Sequence, residues 1–295
     1  MRREGVQSSS CLGSADEVAY SGVAVSDRPT DLPEFASEPL HEVALGVHFQ
    51  RLEGFRQAHF GRYWALIAED YPRTIDRERI ESVIEQLTPG PVRRSVGLQV
   101  IESAPTDRAW FVSEDDTRLI QLQDDRLLAN WRRGGAGYPR FEAIREEFEA
   151  RFVQFGRLAM DEGIGPLGPL QVEVSYFNRI TDATPAEFLR SSAPLDLASQ
   201  GLVSADQLMV GRFLVPDPDG RFVAALTVEV QPVPFTSGED MTLGYQLALS
   251  YRQPLRSDDP GAEIQAALLK GRDTIVRSFA DLTSDVMHQR WERTQ

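Results

Sequence analysis

Histidine is the side chain whose charge changes near neutral pH, and this chain of 295 residues contains four histidines. His41 and His48 are seven residues apart in a strand-like run, so we expect them on opposite faces and not on one metal. Asp285 and His288 are three residues apart in a helix-like run, where they could touch and act as an acid/base pair. The pattern supplies no nucleophile for this pair, so a polar cap on the terminal helix is the competing interpretation.

Motifs of known catalytic and metal sites are missing from the sequence, which has no GxSxG, HExxH, GxxxxGK[ST] or paired CxxC. Cys11 is the only cysteine, which excludes an internal disulfide and a cysteine-based zinc site. Asp115-Asp116 and Asp124-Asp125 could hold a divalent ion, but their position between strand-like runs favours solvated turns. The sequence therefore predicts no catalytic residue, no metal site and no cofactor.

A polar and aromatic set lies on adjacent strand-like runs in the middle of the chain. Its members are Gln121, Gln123, Asn130, Trp131 and Arg132. If one face of the sheet is open, these side chains would line it and recognise a partner by hydrogen bonds and stacking. The alternative is that Trp131 packs under a helix and that Arg132 pairs with an acidic neighbour. Asn178 and Arg179, which end a later strand, and His288 complete the candidate binding residues.

Hydrophobic periodicity predicts the elements that would position these residues. Residues 110–113, 118–123 and 127–131 alternate as strands, and the acidic pairs between them occupy the positions of tight turns. We therefore expect an antiparallel meander. Pro139 suits the first turn of the helix that follows, because its missing N–H has no partner there in any case. The buried stripe of that helix is predicted to be Phe141, Ile144, Phe148, Phe152, Phe155 and Ala159.

The two halves of the chain present the same order of elements, which is strand, helix, several antiparallel strands and long helix. The first half has a strand at 43–49 and a helix at 55–67, and a short helix is expected near 80–87 and a strand at 96–101. The second half has strands at 170–180, 208–215, 221–230 and 241–251, a short helix near 186–190, and a helix over 263–291 that could restart near residue 284.

This repetition predicts an α+β fold made by tandem duplication of one strand–helix–meander–helix unit. The repeats are placed at 32–165 and 166–295, behind a disordered tail at 1–31 that is rich in serine, glycine and aspartate. The same order of elements occurs in the saddle-shaped sheet of the TATA-binding protein. That likeness concerns topology and carries no inference of DNA binding.

Several longer motifs carry a family resemblance. The centre contains LIQLQDDR, NWR and YPRFE, flanked by PEFASEPLHEVALGVHF, VEVSYFNRI and SDVMHQRWER in that order along the chain. Their joint order resembles a sporadically distributed bacterial protein family of similar length, over roughly residues 32–293. The resemblance implies no activity, cofactor or catalytic residue, because none is established for that family. Its patchy distribution is typical of mobile accessory, defence or antitoxin genes.

Charge and hydropathy restrict the class of partner. The net charge of −14 opposes polyanions, so nucleic acid binding would need a local basic face, for which the candidates are Arg93, Arg94, Arg132, Arg133 and Arg140. No apolar run approaches the roughly 20 residues that cross a bilayer, so we expect no membrane association. The first residues lack the apolar core of a signal peptide, and the predicted compartment is the cytoplasm.

These observations predict a non-enzymatic binding or regulatory protein that engages a protein partner through a sheet face. The family resemblance places it in a mobile defence or toxin-neutralising cassette. The alternative is an enzyme with an unrecognised polar site near the meander and the terminal helix. An enzyme of that kind would gather Asp285, His288 and a polar strand residue in one concave pocket.

Overall fold

Nine strands and five helices make up the part of the chain that the structure, a computed structural model, describes. The described residues are 28–89, 107–135, 137–191, 208–237, 240–257 and 259–295. The elements are β1 (Leu40–Phe49), α1 (Gln57–Ile67), β2 (Arg73–Arg77), β3 (Arg108–Val112), β4 (Arg118–Gln123), β5 (Arg126–Arg132), α2 (Phe141–Asp161), β6 (Pro169–Ile180), α3 (Pro185–Phe188), β7 (Met209–Pro216), β8 (Phe222–Ser237), β9 (Asp240–Pro254), α4 (Pro260–Leu282) and α5 (Asp285–Arg290). The α+β class is confirmed. The predicted tail up to residue 27 and the predicted strand at 96–101 lie outside the described residues.

All nine strands belong to one antiparallel sheet with the order β2-β3-β4-β5-β1-β6-β9-β8-β7. The first strands of the two halves, β1 and β6, lie side by side at its centre, with Val47 opposite Val172. Each of them also pairs with the last strand of its own half, β1 with β5 and β6 with β9. The sheet therefore continues across the predicted boundary at residue 165. Tandem duplication and the TATA-binding-protein-like saddle stay predictions, because strand order alone tests neither.

Alternating side chains give the sheet two different faces. Val43, Leu45 and Val47 of β1 are buried in the hydrophobic core on one face. Helix α2 packs its phenylalanine stripe on that face, where the ring centroid of Phe155 lies 5.9 Å from that of Phe49. Helix α4 packs on β6 and β9 on the same side. We call the opposite face, which carries Glu42, Ala44, Gly46 and His48 of β1, the open face.

The helix predicted near residues 80–87 is wrong. Residues 78–89 contain no helix and run across one end of the open face, and we call them the strap. Its backbone is held by open-face amides: Gln123 bonds both the N–H and the carbonyl of Ile80, and the N–H of Glu85 donates to Gln171 Oε1 at 2.8 Å. These side chains replace the bonds that a helix would make internally.

The helix predicted over residues 263–291 is divided in two, as the possible restart near residue 284 indicated. Helix α4 ends at Leu282, and Thr283 Oγ1 donates to the Phe279 carbonyl at 2.7 Å. Helix α5 begins at Asp285, with Ser284 as its N-cap accepting from the Met287 N–H at 3.4 Å. The break lets α5 turn its buried Met287 back into the core.

Gly271 lies where α4 comes closest to the sheet. A Cβ at this position would lie 2.8 Å from Val174 Cγ2 and 2.8 Å from Tyr251 Cδ1. On α2, a Cβ at Gly156 would meet Leu167 Cδ1 at 3.5 Å, an ordinary contact. Alanine stabilises a helix over glycine by about 0.5–1 kcal/mol, whereas overpacking a core costs about 1–3 kcal/mol.

We therefore expect the two glycine-to-alanine variants to change the free energy of unfolding in opposite directions. Gly271→Ala should lower it by about 1–3 kcal/mol, and Gly156→Ala should raise it by about 0.5–1 kcal/mol. Urea unfolding at neutral pH measures both. An increase in stability with Gly271→Ala would contradict the close approach of α4 to β6 and β9.

Candidate functional site

The structure divides the predicted binding residues among three places. Trp131 lies on the helix-covered face with its ring centroid 5.1 Å from that of Tyr138, as the core-packing alternative predicted. Asn178 is also buried on that side, where Nδ2 donates to the Leu247 carbonyl at 3.1 Å. His288 lies in α5. Alternation puts the remaining predicted residues on the open face, namely Gln121, Gln123, Asn130, Arg132 and Arg179.

A relay of side-chain hydrogen bonds crosses four strands of the open face. It begins at Trp110 on β3, whose Nε1 donates to Gln121 Oε1 at 3.0 Å. Gln121 Nε2 donates to Asn130 Oδ1 at 2.9 Å, and Asn130 Nδ2 donates to Glu42 Oε1 at 2.5 Å. Arg132 Nε donates to the second oxygen of Glu42 at 3.1 Å, so the predicted pairing with an acidic neighbour is confirmed. The relay fixes the orientation of the amides, because each has a partner at both ends.

Three guanidinium groups surround the indole ring of Trp110. The distances from Cζ to the ring centroid are 4.1 Å for Arg77, 5.2 Å for Arg132 and 5.6 Å for Arg108. Arginine is attracted to the face of an indole ring at such distances. This part of the open face thus gathers positive charge in a chain whose net charge is −14. Sequence reasoning did not include Trp110, although its register opposite Gln121 places both on one face.

Beside the relay the open face is concave and holds a cavity of about 210 Å³, which we call the basin. Leu128, Phe177 and the strap residue Ile80 give it apolar walls. Its charged lining consists of Arg108, Arg126, Arg252, Glu42 and Glu173, so three positive and two negative charges leave a formal charge of +1. Apolar walls with a few fixed polar groups are usual in a ligand pocket.

Glu173 is a buried carboxylate on β6 at the side of the basin. Its Oε2 accepts from Arg252 Nε at 2.9 Å and lies 3.1 Å from His48 Nε2, while Ser175 Oγ donates to Oε1 at 3.2 Å. Burial raises the pKa of Glu173, but the Arg252 charge and the His48 hydrogen bond outweigh burial and hold this pKa well below its usual range. The carboxylate is therefore ionised at neutral pH.

His48 is buried next to this carboxylate, and its Nδ1 has no hydrogen-bond partner among the described residues. The sequence pattern placed His48 on the polar face of its strand, but it did not connect His48 with Glu173. That connection depends on the pairing of β1 with β6, where His48 lies opposite Gln171 and two register positions from Glu173. No local pattern predicts a pairing between strands so far apart in the chain.

The strap ties the two halves together at one end of the open face. Arg79 bonds Asp124 at 2.5 Å and Asp125 at 2.8 Å, at the turn between β4 and β5. Glu85 forms an ion pair at 2.9 Å with Arg212 on β7, near the opposite edge of the sheet. The acidic pair at 124–125 thus has arginine partners and is more than a solvated turn.

His288 does not join the open face. Its ring is buried 5.4 Å from that of Phe35, and Nε2 lies 2.8 Å from Thr283 Oγ1. Burial and nearby arginine charges lower the pKa of His288, so the ring is neutral at pH 7 and its contact with Asp285 at 3.9 Å is weak. Within the described residues, no polar residue of the meander reaches it. The structure does not show the convergence that the predicted enzyme site requires.

The acidic turn between β3 and β4 is organised by hydrogen bonds to one carboxylate. Asp115 Oδ1 accepts from Ser113 Oγ at 2.7 Å, from Thr117 Oγ1 at 2.8 Å and from the Thr117 N–H at 3.1 Å. These bonds, that of Ser113 above all, lower the pKa of Asp115 to about 2. In the described ranges, no group of three or more His, Cys, Asp or Glu side chains could hold a metal ion.

We expect carboxyl titration by NMR to give Asp115 a pKa of about 2. Ser113→Ala should raise this pKa toward the ordinary value of about 3.9, because the largest stabilising bond to the ionised form is lost. Ser37→Ala, which changes a serine far from this turn in the sequence, should leave it unchanged. A wild-type pKa near 3.9 would contradict the hydrogen-bonded turn.

Three of the five arginines proposed for nucleic acid binding are described by the structure, and all three are engaged in ion pairs. Arg132, Arg133 and Arg140 each form an ion pair with a glutamate side chain, at 3.1, 2.6 and 2.6 Å respectively. Arg93 and Arg94 lie outside the described residues. The contacts of the described three therefore give this hypothesis no support beyond the sequence.

Among the helices that the structure describes, none combines the length and the apolar composition that crossing a bilayer requires.

Comparisons with protein-family models, curated proteins and solved structures give no match to this chain. The geometry of the open face is the basis of the functional proposal below.

Proposed function

We propose that this protein is a non-enzymatic binding protein that engages another protein through the open face of its sheet. The observation that carries the proposal is the relay from Trp110 to Glu42, which orients polar and aromatic groups on the face opposite the helices. Tryptophan and arginine are enriched at the energetic centres of protein interfaces, and here three arginines surround one tryptophan.

The biological setting is a separate part of the proposal. A cytoplasmic regulatory role in a mobile defence or toxin-neutralising cassette follows from the sequence and the family resemblance alone. The protein that the open face engages would, in that setting, be encoded beside this one.

Affinity capture from the native host tests the proposal. Trp110→Ala removes the first residue of the relay. Leu66→Ala is the control: Leu66 is 50% exposed and lies on α1, on the helix-covered side of the sheet. We expect wild type and Leu66→Ala to recover the same partner, and Trp110→Ala to recover at least about tenfold less of it. Circular dichroism checks that both variants are folded. Equal recovery by Trp110→Ala and wild type would refute a role of this face.

The enzyme alternative has support at a different place from the predicted one. His48 contacts the ionised Glu173 beside the basin, and a histidine with a carboxylate partner can serve as a general base. Incubation of a host metabolite extract with wild type and with His48→Gln, followed by mass spectrometry, tests this role. Depletion of a metabolite by wild type alone would favour the enzyme, whereas the binding proposal expects no difference between the two proteins.

A further inference from the structure

Two like charges face each other across adjacent strands of the open face. Arg77 on β2 and Arg108 on β3 are direct register partners. Like charges at directly opposite positions destabilise a sheet unless something compensates them. Neither guanidinium has a carboxylate at ion-pair distance within the part of the chain that the structure describes. The other arginines of the basin and relay do have one: Arg126 pairs with Asp125, Arg132 with Glu42, and Arg252 with Glu173.

Arg108 borders the basin with part of its bonding capacity unused. Its Nη1 lies 3.3 Å from Gln121 Oε1, and its Nε is buried with no acceptor among the described residues. A buried donor without an acceptor is costly to a fold. Burial lowers the pKa of Arg108, and the charges of Arg126 and Arg77 lower it further, so the surroundings do not compensate its positive charge. An anion placed in the basin beside Arg108 would compensate this charge.

The chemistry of the basin favours a carboxylate over a phosphate. A guanidinium group matches the planar geometry of a carboxylate with two parallel hydrogen bonds. Glu42 and Glu173 line the same cavity, so they would repel a doubly charged phosphate bound there more than a single carboxylate. Leu128 and Phe177 provide apolar surface for a ligand residue that neighbours the one with the carboxylate.

We propose that Arg108, with Arg77 opposite it, is an anion subsite of the open face, and that it binds a Glu or Asp carboxylate in an acidic segment of the partner protein. This inference rests on the proposed function and names the chemistry of its partner. Gln121 holds Nη1 of the Arg108 guanidinium through the relay, and the carboxylate would approach this guanidinium from the basin that Arg108 lines.

NMR of arginine Nε–H resonances in the full chain tests the subsite. The probes are acetylated hexaglutamate, inorganic phosphate and chloride, all at the same ionic strength. We expect hexaglutamate to shift the Arg108 resonance saturably and more tightly than phosphate does, with no shift from chloride. Arg108→Met should weaken hexaglutamate binding by at least about tenfold, and Arg108→Lys, which keeps the charge without the planar fork, should weaken it less. Arg157→Met, at an exposed position on α2, is the matched control and should bind as wild type does.

No saturable shift of Arg108, or a shift with phosphate alone, would overturn the subsite. Equal binding by Arg108→Met and Arg157→Met would overturn it as well. These failures differ from a failure of the proposed function. If the Arg108 resonance does not shift but Trp110→Ala still fails to capture the partner, only the anion subsite is refuted. If Trp110→Ala keeps the partner, the open face itself is the wrong surface.

Discussion

Replacing Phe155 with alanine is expected to lower the free energy of unfolding by about 3–5 kcal/mol. Phe155 is fully buried on α2, and its ring centroid lies 5.9 Å from that of Phe49, 6.1 Å from that of Phe55 and 5.4 Å from that of Tyr63. The substitution leaves a cavity where α1, α2 and the end of β1 meet. Because these three rings belong to different parts of the core, the site can collapse only in part, and the residual cavity adds to the loss.

Urea unfolding at pH 7 measures this loss, with Met160→Ala as the control. Met160 lies on the same helix but is 58% exposed, so its substitution should change the free energy of unfolding by less than about 0.5 kcal/mol. A loss below about 1 kcal/mol for Phe155→Ala would mean that α2 does not pack on the sheet as the structure shows.

The second large effect is expected at Glu173, whose replacement by glutamine should cost about 3 kcal/mol at pH 7. Glutamine keeps the shape of the side chain but removes its charge, which leaves the Arg252 guanidinium without its closest carboxylate. The second carboxylate near Arg252, that of Glu85, lies 3.8 Å away and compensates only in part. Removal of one partner from this ion pair is costly because the charge of the partly buried Arg252 loses its main compensation.

The cost at Glu173 should depend on pH in a defined direction. The folded state holds the pKa of Glu173 below the value of about 4.3 that a glutamate has in an unfolded chain. The charged form therefore stabilises the fold fully above pH 4.3, and this contribution is lost as the pH falls toward the folded-state pKa. The difference in unfolding free energy between wild type and Glu173→Gln should be larger at pH 7 than at about pH 3.5.

Glu146→Gln is the control for this comparison, since Glu146 is an exposed glutamate on α2. Its effect should stay within about 0.5 kcal/mol at pH 7. An equal cost for Glu173→Gln at both pH values would contradict the charged network of Glu173, Arg252 and His48. A cost no larger than that of Glu146→Gln would contradict the burial of the network.

The sequence pattern predicted those strands and helices that pack against elements nearby in the sequence. The alternation around Leu119 and Ile120, with short acidic turns, predicted the meander, because turn length fixes which strands pair. The spacing of Phe148, Phe152 and Phe155 predicted both the helix and its buried face. Trp131 and Asn130 are successive residues of β5, so their side chains point to opposite faces of the sheet. The core position of Trp131 therefore follows from alternation once it is known which face the helices cover.

The candidate site depends on contacts that no local pattern contains. The basin brings together β1, β3, β4, β5, β6, β9 and the strap, so its lining follows from long-range strand order. Strand β2 has exposed residues throughout, and hydrophobic alternation cannot predict it. The strap is rich in helix-forming residues, yet its backbone bonds the side chains of Gln123 and Gln171 and does not form a helix. Tertiary hydrogen bonds here override local propensity.

Radical footprinting of tryptophan in the partner complex tests the central claim most directly. Trp110 on the open face and Trp64 on α1 are both partly exposed, so each can be oxidised in the free protein. If the open face is the recognition surface, oxidation of Trp110 should fall when the partner binds, while oxidation of Trp64 stays constant. Protection of Trp64 with no change at Trp110 would show that the partner binds the helix-covered side, and would contradict the account.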